Sequence, residues 1–292
     1  MKKFLKGAVA VLAAVIGVAT FAGCGSAKTK IGSQSGTTGF YYVAGNADMK
    51  FPGYSNIESV GYDNAGLAVK AMENGGVDYV VVDSEVGKSI AKTNQNVKVV
   101  DIALTTEVYA FGVDKNQPEL LSKVNAFLAK IKTDGTLNAI YEKYASVSSD
   151  DDGNTTGDSD AIQGIASAKK DAAKADRQLV VATNAAFAPY EYVKGDKFAG
   201  IDMEIAKLLA DELGMELVIE DMDFDAVVTS VGKNNVDLAM AGLTVTASRE
   251  QSVTFSDAYY EGAYQVLLVK KDNTEFDACK TKEDVEAILK NK

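Results

Sequence analysis

Histidine is absent from all 292 residues. That excludes the usual Ser-His-Asp hydrolase triad, a histidine-ligated zinc site and a histidine general base. Cysteine is nearly absent, with only Cys24 and Cys279 in the chain. If Cys24 is acylated, no intrachain disulfide can form. Basic residues are scarce, 30 Lys and Arg against 41 Asp and Glu. Removal of residues 1–23 would take Lys2, Lys3 and Lys6, leaving 27 basic against 41 acidic side chains and a net charge of −14. Such a balance argues against nucleic acid and against a polybasic membrane patch. With 47% hydrophobic residues, the chain can build two modest domains.

The N-terminus opens with a basic stretch and then an apolar run over 7–21. Fifteen residues are too few for a comfortable transmembrane helix and suit a signal h-region. The run ends Phe21-Ala22-Gly23-Cys24. Small residues before a cysteine look like a lipoprotein signal over 1–23, with Cys24 as the lipidation site and 24–29 as a tether. Phe21 stands where such signals usually carry Leu, Val or Ile. Ordinary secretion with a free Cys24 is the alternative.

The stretch 241–260, AGLTVTASREQSVTFSDAYY, organises the rest. Residues 236–240 read as a short buried strand that stops at Gly242. Thr246 is a good helix N-cap, which predicts Arg249 in a first helical turn. A guanidinium fork, the Thr244 and Thr246 hydroxyls and free amides beside a glycine make a site for a carboxylate. A solvated surface arginine is the plain alternative. Residues 30–39, KIGSQSGTTG, read as a strand, a glycine-rich turn and a helix from about Thr38. The near-continuous apolar run 77–83 reads as a strand buried on both faces, with Asp83 at its C-terminal end. Ligands bind at such ends in open α/β sheets, and an N-cap for a helix at Ser84 is the other reading.

Further along, 118–132 is amphipathic and 137–144 makes a second helix. Residues 146–160, SVSSDDDGNTTGDSD, lack apolar anchors and read as a linker. The Ala- and Lys-rich 161–177 predicts a helix with a thin apolar edge. A fresh strand starts at Gln178, followed by a loop carrying Asn184 and Phe187. Phe187 lies in an Ala-Phe-Ala-Pro loop rather than a periodic stripe, which favours a site over core. Phe224 opens a helix, and the residues leave it as either.

Three strings carry a family resemblance: Ile-Gly-Ser-Gln-Ser-Gly-Thr-Thr-Gly at 31–39, the Gly-Leu-Thr…Arg…Phe-Ser-Asp-Ala-Tyr-Tyr run ending at Tyr260, and Asp-Gly-Thr-Leu…Ile-Tyr-Glu-Lys-Tyr at 134–144. The chain resembles the extracytoplasmic amino-acid-binding proteins of ABC importers (solute-binding protein family 3, glutamine-binding-like). The resemblance implies an α/β, two-lobed periplasmic-binding-protein-like fold with two hinge crossings. It implies Arg249, Thr244 and the Thr37/Thr38 turn on the ligand α-carboxylate, and Asp83 with the Gly242 region on the α-ammonium. Phe187 and Phe224 would flank the ligand side chain. Basic-amino-acid binders of the family tend to carry an acid where Asn184 stands. With Gln34 as a second neutral amide, the resemblance implies a neutral polar L-amino acid, glutamine-like first, with cystine-like or small aromatic ligands behind.

The resemblance covers 30–145 and 178–292 in swapped order, which reads as a circular permutation. The second ligand-binding lobe is expected over 30–107, completed by 270–292. The return crossing and first-lobe helices take 108–145, an acidic linker and connecting helix 146–177, and the first lobe 178–269. The expected function is capture of a free amino acid and delivery to an ABC permease by a monomer lipid-anchored outside the cell membrane. No catalytic residue, metal or cofactor is implied. The alternatives are a sensing or receptor module and a dehydratase-type enzyme on the same fold, which would need a carboxylate aimed at the ligand skeleton.

Overall fold

The computed structural model describes residues 28–149, 155–157 and 162–292. The signal segment, Cys24, the tether up to residue 27 and the middle of the acidic linker lie outside the described residues. Among the described residues, no helix is long and apolar enough to cross a membrane.

Two five-stranded sheets divide the fold. The first runs Ile57–Tyr62, Thr29–Gln34, Tyr79–Asp83, Gln265–Lys270, Val97–Val100 in spatial order. Its first three strands are parallel, and Gln265–Lys270 is antiparallel to both neighbours. Successive side chains of a strand point to opposite faces. Val81 and Leu267 therefore join Ile31, Val43, Val285 and Leu289 on one face, while Val80, Val82 and Leu268 join Ala68, Met72 and Ile90 on the other. Burial on both faces is why these strands read as unbroken apolar runs.

The second sheet runs Glu216–Asp221, Gln178–Thr183, Leu238–Ala239, Gly112–Asp114, Val253–Phe255. Three parallel strands are followed by Gly112–Asp114, antiparallel to both its neighbours. Pro118–Thr133, Thr136–Tyr144 and Ile201–Leu213 cover one face through Val124, Leu128, Ile140, Ile205 and Leu209. The hairpin Glu191–Lys194 with Lys197–Ala199 packs into this lobe through Tyr192 and Ala199.

The chain passes between the sheets twice, at Glu107–Tyr109 and Tyr260–Ala263. These two segments pair antiparallel as a small ladder of their own. The two-lobed architecture with two crossings is thus the one the sequence predicts.

Three expectations need correction. Among the described residues 162–177, the connecting helix expected over 161–177 is absent. Ile165 bridges Phe198, the Ala168 N–H donates to Leu217 O, and Ile219 N–H donates to Ser167 Oγ at 2.8 Å. The segment lies along a sheet edge, and only Ala172–Lys174 forms a helical turn. Alanine and lysine propensity is worth tenths of a kcal/mol per residue, ~0.5 or less, and the open backbone groups of an edge strand outweigh it. The linker is not featureless either: Ser148 and Ser149 pair with Thr156 and Thr155. Val147 before it and Ile162 after it return to the same core as Leu179. Finally, Gln265–Lys270, read as first lobe up to 269, is a strand of the Ile31 sheet. Its Val266-Leu267-Leu268-Val269 run demands burial on both faces, which only an interior position provides.

Candidate functional site

A cleft between the two sheets, about 430 Å³ including its open mouth, is lined by Gln34, Thr37, Thr38, Asp83, Phe187, Phe224, Gly242, Thr244 and Arg249. These are nine of the ten candidate ligand contacts. The tenth, Asn184, sits one layer back. Its Oδ1 accepts from Gln34 Nε2 at 3.0 Å, and its own Nδ2 donates to Met222 O at 2.9 Å. Gln34 Nε2 also donates to Asp63 O at 3.1 Å. The amides therefore bond each other across the lobes.

Arg249 reaches the cleft from a loop. Its backbone N–H donates to Thr246 Oγ1, as at a cap, but only a single turn over Arg249–Gln251 follows instead of the expected helix. Nη1 donates to Thr244 O at 2.8 Å and Nη2 crosses to Gly36 O at 3.2 Å. The guanidinium lies 5.3 Å from the centre of the Phe224 ring, within cation–π range. Burial lowers its pKa from the ordinary value, and the Glu107 carboxylate acts against that. Two of five donors are spent on carbonyls, so the fork keeps donors for an incoming carboxylate.

Opposite stands Asp83, 3% exposed. Oδ1 accepts from Glu85 N–H at 3.0 Å, so the side chain is the N-cap of Ser84–Thr93. Oδ2 accepts from the Tyr109 hydroxyl. Both readings of Asp83 thus meet at one residue: it caps a helix and faces the cleft. Burial pushes its pKa up to about 7, Glu107 adds to the rise, and the Tyr109 and Glu85 hydrogen bonds oppose it.

The turn 34–38 packs tightly against the other lobe. Gly36 has φ +72°, and a Cβ there would lie 1.8 Å from Asp225 Oδ1. Thr37 Oγ1 donates to Gln34 O at 2.7 Å and accepts from Phe40 N–H, so its hydroxyl is committed to capping Thr38–Ala44. Thr38 is buried at the start of that helix. Thr244 Oγ1 donates to Glu107 Oε2, and Thr105 Oγ1 donates to Glu107 Oε1.

Gly242 has φ +54°, and a Cβ there would lie 2.9 Å from Phe187 Cε1. Its N–H donates to Asp202 Oδ2 at 2.9 Å. Asp202 is fully buried and its pKa is pushed up to about 7 by that burial, with the Gly242 amide and Tyr259 opposing.

Sequence reading missed Tyr109, Gln265, Val81, Val82 and Ala241 in the lining, and Glu107 and Asp202 behind it. The signal for Tyr109 and Glu107 was their place on a crossing strand beside the cleft. Asp202 gave no local signal.

A family model for bacterial extracellular solute-binding proteins, family 3, matches residues 28–147 and 179–291. An arginine-binding extracellular protein of Bacillus subtilis (strain 168) is 36% identical over 113 residues, covering 39% of this chain and 44% of its own. A probable histidine-binding protein of Neisseria gonorrhoeae is 34% identical over 93 residues, covering 31% and 34%. The chain thus spans less than half the length of these curated relatives. The arginine-bound form of domain 1 from TmArgBP has 30% identity, covers 42% of this chain and 100% of that one, and gives a TM-score of 0.29.

Proposed function

This chain belongs to the bacterial extracellular solute-binding proteins of family 3, and on that premise we propose that it captures a free L-amino acid with an uncharged polar side chain, glutamine first, for an ABC permease. The carrying observation is the charge inventory of the cleft. Its lining offers one guanidinium, Arg249, and one carboxylate, Asp83, from opposite lobes, and no other ionisable acid or base besides the Tyr109 phenol. That pair matches the carboxylate and ammonium of a zwitterion. Each buried ligand charge then meets an opposite charge, as removal from water requires.

Arginine or histidine, named for the relatives, would bring a further charge or a charged imidazole. Arginine would need a second carboxylate at the side-chain end. The lining offers the Gln34 amide instead, with the Asn184 amide bonded behind it and Phe187 and Phe224 placed to pack on methylenes. Closure of the lobes around the ligand would present a new face to the permease. The site offers binding groups, and no carboxylate is left over to abstract a proton from the ligand skeleton, which favours transport over a dehydratase.

The same reading includes a lipid anchor at Cys24, an extracytoplasmic monomer, and a circularly permuted order. Support for the permutation comes from the C-terminal helix: Val285 and Leu289 pack with Ile31, on the sheet where a permuted order puts them. Titration calorimetry with L-glutamine and L-arginine tests the ligand. Glutamine binding that Asn184→Asp shifts toward arginine is expected. Tight arginine binding by wild type with no response to neutral amino acids would refute it.

A further inference from the structure

Tyr109 is 1% exposed and belongs to the crossing strand Glu107–Tyr109. Its backbone is tied to the carboxylate side of the cleft. Tyr109 bridges Thr244 antiparallel, and Tyr259 N–H donates to Tyr109 O at 2.9 Å. Its ring is wedged edge-on against Tyr190 at 5.2 Å and tilted against Tyr260 at 5.6 Å. Its hydroxyl goes the other way, to Asp83 Oδ2 on the opposite sheet. One residue is therefore fixed by its main chain to the loop of Thr244 and Arg249 and by its side chain to Asp83.

From this geometry we infer that Tyr109 is a positioning residue, which aims the Asp83 carboxylate at the ligand ammonium and fixes its spacing from the Arg249 side. The inference rests on the amino-acid reading of the cleft. Asp83 needs such help. Glu85 on its own helix and Glu107 on the crossing strand oppose its charge, Glu191 on the hairpin is itself pushed well above the ordinary carboxylate range by burial, and the Tyr190 and Tyr260 rings pack against Tyr109. Against these stand two donors, the Glu85 amide and the Tyr109 hydroxyl. A carboxylate oxygen has a second lone pair, so Tyr109 can hold Oδ2 while an ammonium approaches. Charge-assisted bonds of this kind are the stronger ones.

Tyr109→Phe deletes the hydroxyl and keeps the ring contacts. The carboxyl carbon of Asp83, assigned by its loss in Asp83→Asn, is titrated by NMR in ligand-free wild type and Tyr109→Phe, whose amide spectrum reports the fold. L-glutamine affinity is measured on both at pH 5.5 to 8.5, values set roughly one and a half units either side of the Asp83 midpoint. The midpoint should rise by about one pH unit in the variant. Glutamine affinity should fall about tenfold at pH 7 and recover part of that loss at higher pH. Identical midpoints in the two proteins, or an affinity loss that is the same at every pH, would overturn the inference. A raised midpoint with no α-amino acid binding to wild type would sustain the Tyr109–Asp83 coupling and overturn the ligand reading instead.

Discussion

Half-buried Arg249 and buried Asp83 are opposite charges supported by different means. Arg249 leans on two carbonyls and an aromatic face, whereas Asp83 has one amide and one phenol. Removing one partner of a buried pair costs more than the pair contributes, because the other charge is stranded. Arg249→Ala should weaken L-glutamine binding about 100-fold or more by calorimetry. A pH dependence follows from Asp83. Its folded pKa is raised to about 7, so in the empty protein it favours folding most below the ordinary carboxylate range. That contribution is lost as pH rises through 7, and Asp202, also near 7, adds to it. A ligand ammonium favours the ionised form, so binding releases a proton below pH 7. Affinity should fall toward tenfold per pH unit there and level off above it, with proton release visible as buffer-dependent heat. Arg249, Asp83 and the threonines were legible because each sits in a contiguous string. Tyr109, Glu107 and Asp202 were not, since their roles depend on which strands the crossings bring alongside the cleft.

At the scale of elements, the helix Lys282–Lys290 is the one that completes the Ile31 sheet. Thr281 and Asp284 form a reciprocal cap at its start, and Val285 and Leu289 are fully buried. Leu289→Ala should destabilise the protein by about 2–5 kcal/mol in a denaturant melt. Since the helix lies away from the cleft lining, glutamine affinity measured below the melting transition should stay within a factor of about 3, the scale of change expected for distant, independent sites. Ile57–Tyr62 and the Asn64 cap before Ala65–Glu73 could be read directly, because period and cap agree there. Residues 161–177 could not: local propensity favours a helix, and the pairing that defeats it comes from Phe198 and Leu217, far along the chain.

Among the described residues, the two large sheets are joined by a two-stranded ladder and latched by Gln34 to Asn184, by Arg249 to Gly36 and by Ser148–Ser149 packed on Ser84–Thr93. Asn184→Ala removes one latch and should increase the ligand-free radius of gyration in small-angle scattering, with glutamine restoring the compact value. Residues 28 and 289 add a mechanical consequence. Lys28 Nζ reaches Ser55 O at 3.3 Å, and Asn56 Nδ2 reaches Leu289 O at 2.8 Å, so residues 28 and 289 flank one loop of one lobe. Leu213, at the end of the helix Ile201–Leu213, packs on the core of the other lobe. A load pulled between residues 28 and 292 in optical tweezers runs within a single lobe and leaves the hinge slack. The same load between residues 28 and 213 passes from one lobe to the other, through the two crossing strands, the cleft and the Ser148–Ser149 strand packed on Ser84–Thr93. Glutamine should raise the rupture force along the second axis and leave the first unchanged.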